Sequence, residues 1–213
     1  MSPELTQQIH SFCASNNISV QALLQFGLRM FLSKENNCAE DVLFDVLCNR
    51  RPTLADRKSG GCRIALVPYR SIFKEDVTVM EALQTSMQSL SSIYRHVDLS
   101  LYQRNGSLKR LYGTTEFEIY SSVVFNHIPA PQLLDKDLKL KVQWVSPQRF
   151  PTLLYVLAFS NFLDGGMDIV FEYRLSMLKE EHIDKLFDSM QKVLKACIEN
   201  PQRTLGDLLH ETL

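Results

Sequence analysis

The sequence has no apolar run of about 18 residues or more, so no stretch of it is suited to cross a bilayer as a helix. Its opening, MSPELTQQIH, lacks both a basic n-region and an apolar h-region, which predicts no targeting or anchoring segment there. Charge of one sign is also missing. The 23 Lys and Arg balance 24 Asp and Glu, the formal net charge is -1, and the basic residues are scattered. That excludes the electrostatic footprint of a protein that grips a nucleic-acid backbone. Cysteine is sparse and odd in number. Cys13, Cys38, Cys48, Cys62 and Cys197 are widely spaced and never form a CxxC pair, which argues against a disulfide framework or a zinc knuckle and predicts a cytoplasmic protein. Each is expected to serve as a small buried hydrophobe. The GxSxG, GxGxxG, Walker A, HExxH and EF-hand patterns are absent. His10, His96, His127, His182 and His210 stand apart from one another, with no second His or Cys at ligand spacing, so no metal site is expected.

What is present is an ordinary globular composition, 45% hydrophobic and 22% charged over 213 residues, which suits one domain or one large lobe. Leu5, Ile9, Phe12 and Cys13 form a short helical stripe. Ser19 is the expected N-cap of a second helix, whose Val20, Leu23, Leu24, Gly27, Leu28 and Phe31 make a wide buried face, with Gly27 marking close packing. Residues 42–48 are apolar apart from Asp45 and read as a strand covered on both sides; residues 63–69 read as another. The NRRPTLADRKSGG between them reads as a long exposed loop. Thr78 and Glu81 form a capping-box pattern ahead of a third helix.

Residues 96–113 are ambiguous because Asn105 and Gly106 interrupt a helical spacing. Strands are predicted over 118–125, 138–145, 153–159 and 167–173, with HIPAPQLL as a loop and the last two strands as a hairpin turning at Asp164, Gly165 and Gly166. An active-site reading of that Asp-Gly pair is weaker than the turn reading. The strongest helical pattern runs from Ile183 to Ile198 and ends at Asn200 and Pro201. Helices and strands in this order predict a layered α/β fold with a mixed sheet flanked by helices.

The closing stretch MDIVFEYRLSMLKEEHIDKLFDSMQKVLKACIENPQRTLGDL resembles the final strand, helix and "NP..tl.dl" ending of nonribosomal peptide synthetase condensation domains, members of the chloramphenicol acetyltransferase-like superfamily. SVQALLQFGLRMFLSKENNCAEDVLFDVLCNRR resembles the helix, strand and Asn-Arg turn of that family, carried by Asn49 and Arg50. GGCRIALVPYR resembles its "IGxFVNTLPLR" strand, keeping Gly61, Pro68 and Arg70. HVDLSLY resembles "HQDVPFE", keeping His96 and Asp98. The chain departs from the pattern at Ala65 and Leu66, at Ser100 and Tyr102, and at TTEFEIY, where the family has "SRNPLF".

The resemblance implies the C-terminal half of a two-lobed domain in which carrier-tethered thioesters meet in a tunnel and an amide bond forms. The HHxxxDG motif, which belongs to the N-terminal lobe, has no counterpart in this sequence, so no catalytic residue is assigned and the chain alone is expected to be inactive. The implied partners are peptidyl or acyl carrier proteins, with their phosphopantetheine arms, and the N-terminal lobe; the chain itself is expected to hold no cofactor. Arg50, beside Asn49, resembles the arginine that pairs with the Asp of HHxxxDG; a solvated loop charge, shared with Arg51, is the alternative. Gly61, Arg70, His96 and Asp98 are implied as structural positions. Elements crossing to the other lobe are expected within residues 126–152. Two other functions compete: a stand-alone, non-catalytic module binding a carrier protein or synthetase domain, and a lobe of a related acyltransferase.

Overall fold

The computed structural model describes residues 1–51, 53–97, 101–113, 123–129, 143–146, 152–161 and 164–213. Helix α1 (Pro3–Asn16) starts where the Ser2 side chain accepts the Leu5 N–H and Pro3 fills the first turn, and it stops at Asn17 in the left-handed conformation. Helix α2 (Val20–Glu35) is capped by Ser19, which accepts the Ala22 N–H. It is buried on more than the expected face: every residue from Ala22 to Met30, including Gln25 and Arg29, is inaccessible.

Strand β1 (Asp41–Asn49) follows, then a one-turn helix α3 (Leu54–Lys58) and strand β2 (Ile64–Ile72). The expected plain loop between the strands is therefore corrected. Thr53 and Asp56 close a reciprocal capping box that holds one helical turn among the Pro and Gly residues.

Helix α4 (Val79–Arg95) begins at the predicted Thr78/Glu81 capping box. The ambiguous region resolves into helix α5 (Leu101–Tyr112), for which Asn105 and Gly106 are tolerated interruptions. Strands β3 (Val123–Ile128), β4 (Leu154–Ser160) and β5 (Met167–Tyr173) precede helix α6 (Glu180–Glu199) and a short helix α7 (Leu205–Asp207), which runs into a π-helical turn (Leu208–Thr212). His127 and Ile128, expected in a loop, are the end of β3. Of the predicted strands, residues 118–122 and 138–142 lie outside the described residues, and Gln143–Val145 of the latter has no strand pairing.

The five strands form one mixed sheet in the order β2-β1-β3-β4-β5. β1 and β3 are parallel, as are β3 and β4, while both outer pairs are antiparallel. The β4–β5 hairpin is the predicted one. Gly165 turns it at φ 78, and the Asp164 carboxylate accepts the Gly166 N–H at 2.8 Å, which supports the turn reading of that Asp-Gly pair.

One face of the sheet carries the large core, with Phe44, Val46, Phe125 and Val156 wholly buried against residues of α1, α2, α4 and α6. α2 and α6 pack together at Gly27, but the expected need for glycine there is corrected: an added Cβ would meet Leu194 at 3.6 Å, an ordinary contact.

The closing segment completes the first turn of α4. The Val79 and Met80 N–H groups, which have no acceptor within their own helix, donate to Arg203 O at 3.0 Å and Pro201 O at 2.9 Å. A further capping box, Thr204 with Asp207, lies alongside, and Thr78 bridges Thr204.

Candidate functional site

The strand register draws a line of side chains across the sheet face that points away from the large core. Pro68 pairs with Asp45, Asp45 with Val124, Val124 with Tyr155, and Tyr155 with Glu172, one residue from each strand. Around this line Tyr155, Leu157, Phe159 and Val124 form a second, smaller hydrophobic cluster, joined by Trp144. Trp144 lies 6.1 Å from the Tyr155 ring and donates its indole N–H to Glu172 Oε1 at 2.8 Å, while Asn126 donates to the Tyr155 hydroxyl at 2.8 Å. From α5, Arg104 donates to Leu66 O at 3.1 Å.

Asp45 is only 2% exposed. Burial pushes its carboxyl up to about 6, against the pull of Arg104. A buried carboxyl titrating near neutrality is the chemically unusual group of this face.

Four large apolar strand residues on this same face, Leu43, Ile64, Ile72 and Ile128, are exposed. The core-facing residues of the same strands are buried or half-buried.

At one end of β1 and β2 stand the Asn-Arg positions. Asn49 ends β1 opposite Ile64, and the Arg50 N–H donates to Arg63 O at 2.7 Å, which continues the ladder beyond the last strand pair. Arg51 is not a solvated charge. Its guanidinium donates to Asp56 O at 2.6 Å, to Gly61 O at 2.6 Å, and to the Ser59 carbonyl and hydroxyl, so one side chain laces the whole β1–β2 connection. Gly61 adopts φ 89, which suits glycine, at the point where its carbonyl meets Arg51. Asp56 is held below the usual carboxylate range by its hydrogen bonds to the Thr53 hydroxyl and backbone and by its ion pair with Arg63.

Beside Asn49 a cleft of about 690 Å³ opens between the start of α2 and the C-terminal half of α4, lined by Met87, Leu90, Tyr94 and Val97 among others. Burial pushes the Tyr94 phenol and the neighbouring Cys48 thiol each up to about 12, so Cys48 offers no thiolate near neutral pH.

The remaining sequence candidates lie apart. Arg70 forms a bidentate, exposed ion pair with Asp41, from edge strand β2 to its neighbour β1, at 2.9 and 2.6 Å. His96 is the exposed C-cap residue of α4, its N–H donating to Ile93 O, and Asp98 lies outside the described residues. Asn49, Arg50 and Gly61 are brought together; Arg70 and His96 are not part of that group. Residues 126–128, expected among crossing elements, belong to this sheet instead, and most of 129–152 lies outside the described residues.

Cys13, Cys48 and Cys197 are buried as expected, whereas Cys38 is half-buried and Cys62 is exposed on the β1–β2 connection. Among the described residues no cluster of His, Cys, Asp or Glu could hold a metal ion, and no helix is long and apolar enough to cross a membrane. Sequence reading missed Arg51 as the organiser of the connection and the Asp45 row. A lone carboxylate in an apolar run was the signal for the second.

A family model described as a condensation domain matches residues 1–211. Surfactin synthase subunit 1 of Bacillus subtilis (strain 168) is 22% identical over 220 residues, which cover 96% of this chain and 6% of that protein. A holo four-domain nonribosomal peptide synthetase bound to AMP and glycine superposes with a TM-score of 0.80 at 12% identity, over 97% of this chain and 17% of that one. The first condensation domain of the CDA synthetase superposes with a TM-score of 0.71 at 15% identity, over 97% of this chain and 45% of that one. The chain thus spans a small fraction of the synthetases and under half of a chain described as a single condensation domain.

Proposed function

Because this chain belongs to the condensation domain family, we propose that it is the C-terminal lobe of a nonribosomal peptide synthetase condensation domain, of the chloramphenicol acetyltransferase-like superfamily, and works in amide bond formation. The observation that carries this reading is the coverage: nearly all of this chain aligns with under half of a chain described as one condensation domain. The exposed apolar residues Leu43, Ile64, Ile72 and Ile128 lie on one sheet face, Leu43 and Ile72 towards one end of the strands and Ile64 and Ile128 towards the other, and apolar strand residues left open to solvent support a second lobe docking there.

In this reading the amine of a carrier-bound aminoacyl group attacks the carbonyl carbon of a carrier-bound acyl thioester, the C–S bond breaks, and the thiol of a phosphopantetheine arm leaves. The histidine motif of the N-terminal lobe handles the amine. This chain supplies a tunnel wall and part of the acceptor-side carrier surface, and the arms belong to the carriers. Arg50, at the laced end of β1, pairs with the Asp of HHxxxDG; a guanidinium–carboxylate bond of that kind fixes geometry without touching substrate.

The test incubates the purified chain with acyl-loaded and aminoacyl-loaded carrier proteins, alone and together with an N-terminal lobe bearing HHxxxDG. No amide from the chain alone and amide from the pair are expected. Amide from the chain alone would overturn the reading, and carrier binding without turnover in the presence of a docked lobe would replace it with a non-catalytic module.

A further inference from the structure

Arg50 stands just past the end of β1, where a Pro- and Gly-containing connection begins and where a chain would ordinarily fray. A closed circuit of contacts holds it there. The Arg50 N–H donates to Arg63 O at 2.7 Å. The Arg63 guanidinium pairs with the Asp56 carboxylate. That carboxylate also accepts from the Thr53 hydroxyl at 2.6 Å and closes the capping box of α3, so Asp56 is fixed in turn. The Asp56 carbonyl then accepts from the Arg51 guanidinium at 2.6 Å, and Arg51 is the covalent neighbour of Arg50.

Arg51 has the longest reach in this circuit. Besides Asp56 O, its two terminal nitrogens serve the Ser59 carbonyl, Ser59 Oγ at 3.1 Å and Gly61 O at 2.6 Å. Three of these four acceptors are backbone carbonyls, so what Arg51 fixes is the course of the chain rather than another side chain. Helix α3 buries no residue, and Leu54 on it is 68% exposed, so hydrogen bonds rather than apolar packing hold the connection. A planar, always-charged fork suits that task, because it serves several acceptors at once from one orientation.

We propose that Arg51 is a positioning residue for the amide-forming reaction, holding the backbone at Arg50 so that the Arg50 guanidinium meets the HHxxxDG carboxylate of the N-terminal lobe already in place. The inference rests on the proposed function, in which Arg50 makes that pair. A fork-to-fork guanidinium–carboxylate bond tolerates displacement poorly, and its supports must hold it within about 0.5 Å of the productive geometry. Order built into the free chain need not be created when the lobes dock. Arg51 touches neither substrate nor motif and acts through Arg50.

A double-mutant cycle on the intact chain tests this. Wild type, Arg50→Met, Arg51→Met and the double variant are each titrated with an N-terminal lobe bearing HHxxxDG, then assayed with acyl-loaded and aminoacyl-loaded carriers at saturating lobe. Arg51→Met should weaken lobe binding about tenfold and lower kcat, with KM for the carriers unchanged, because the motif is misplaced while carrier docking is not. In the Arg50→Met background it should change neither quantity, since nothing is left to position. Equal losses in both backgrounds, or a loss confined to KM, overturn the proposal. A wild-type chain that neither binds the lobe nor makes amide with it overturns the proposed function and this inference together, a result distinct from a working pair with an additive cycle. Should Arg51→Met fail to fold, Arg63→Met opens the same circuit at its other limb: a loss that disappears in the Arg50→Met background supports the proposal, and an additive loss overturns it.

Discussion

Along β1 the alternation of side chains sends Phe44 and Val46 into the helical core, wholly buried, and sends Leu43 and Asp45 to the opposite face, the first exposed and the second buried as a carboxyl. The same division runs through β2, β3 and β4. The core face is mainly apolar, with Tyr69 and Ser71 of β2 as buried polar exceptions. The second face mixes an apolar cluster with Asp45, Asn126, Tyr155 and Glu172, and frames it with exposed Ile64, Ile72 and Ile128. A face that only had to be covered by its own helices would have no reason for buried polar rows beside exposed isoleucines. The difference separates the side that makes this chain fold from the side that, in the proposed function, meets another lobe.

The comparison breaks most visibly under truncation. Phe44→Ala removes a fully buried ring that packs 5.2 Å from Tyr69, and it should cost about 3–5 kcal/mol, whereas Leu43→Ala next to it should cost under about 1 kcal/mol; denaturant unfolding of the two variants measures the contrast. If they cost the same, the two faces are not energetically distinct.

Asp45 gives the next effect. Its folded carboxyl keeps its proton up to about 6, while the unfolded chain releases it near the ordinary value of 3.8. Between those values the folded state binds more protons, so this group's contribution is full below about pH 4 and is lost as pH rises through 6. Asp45→Asn should therefore stabilise the chain by about 1–3 kcal/mol at pH 7 and change little at pH 4, as read from unfolding at both pH values. An equal effect at both would mean that folding leaves the Asp45 carboxyl unshifted, and destabilisation confined to pH 7 would mean that it is ionised and well paired.

Arg51→Met should release the β1–β2 connection, with faster amide exchange over residues 53–61 and a loss of about 1 kcal/mol in global stability. The smallest change belongs to Arg70→Ala. Its ion pair with Asp41 is exposed on both sides, so stability should move by less than about 1 kcal/mol, and less again in high salt.

Where a local rule determines structure, the sequence could be read directly. Thr78 with Glu81 announced α4, Ser19 announced α2, and the Asp164–Gly166 turn announced the hairpin, because caps and turns are made by residues within a few positions of each other. The α/β layering followed from the order of those elements. The Pro68–Asp45–Val124–Tyr155–Glu172 row was hidden for the opposite reason: its members come from five strands and meet only through register. Gln25 and Arg29 were hidden because polar residues on a helix read as its solvent side, whereas α2 is buried all round from Ala22 to Met30. The one-turn α3 sat within a Pro- and Gly-rich stretch where composition favours a loop. The role proposed for Arg50 rests on family resemblance, since its proposed partner lies on another lobe.

The central claim is that this chain has one face for folding and one for a second lobe. Hydrogen exchange of the chain, with and without an N-terminal condensation lobe bearing HHxxxDG, tests it most directly. The account predicts added protection at the Asn49–Gly61 end and in Val123–Ile128, with α1 and α6 unchanged. No protection anywhere, or protection confined to α1 and α6, would contradict it.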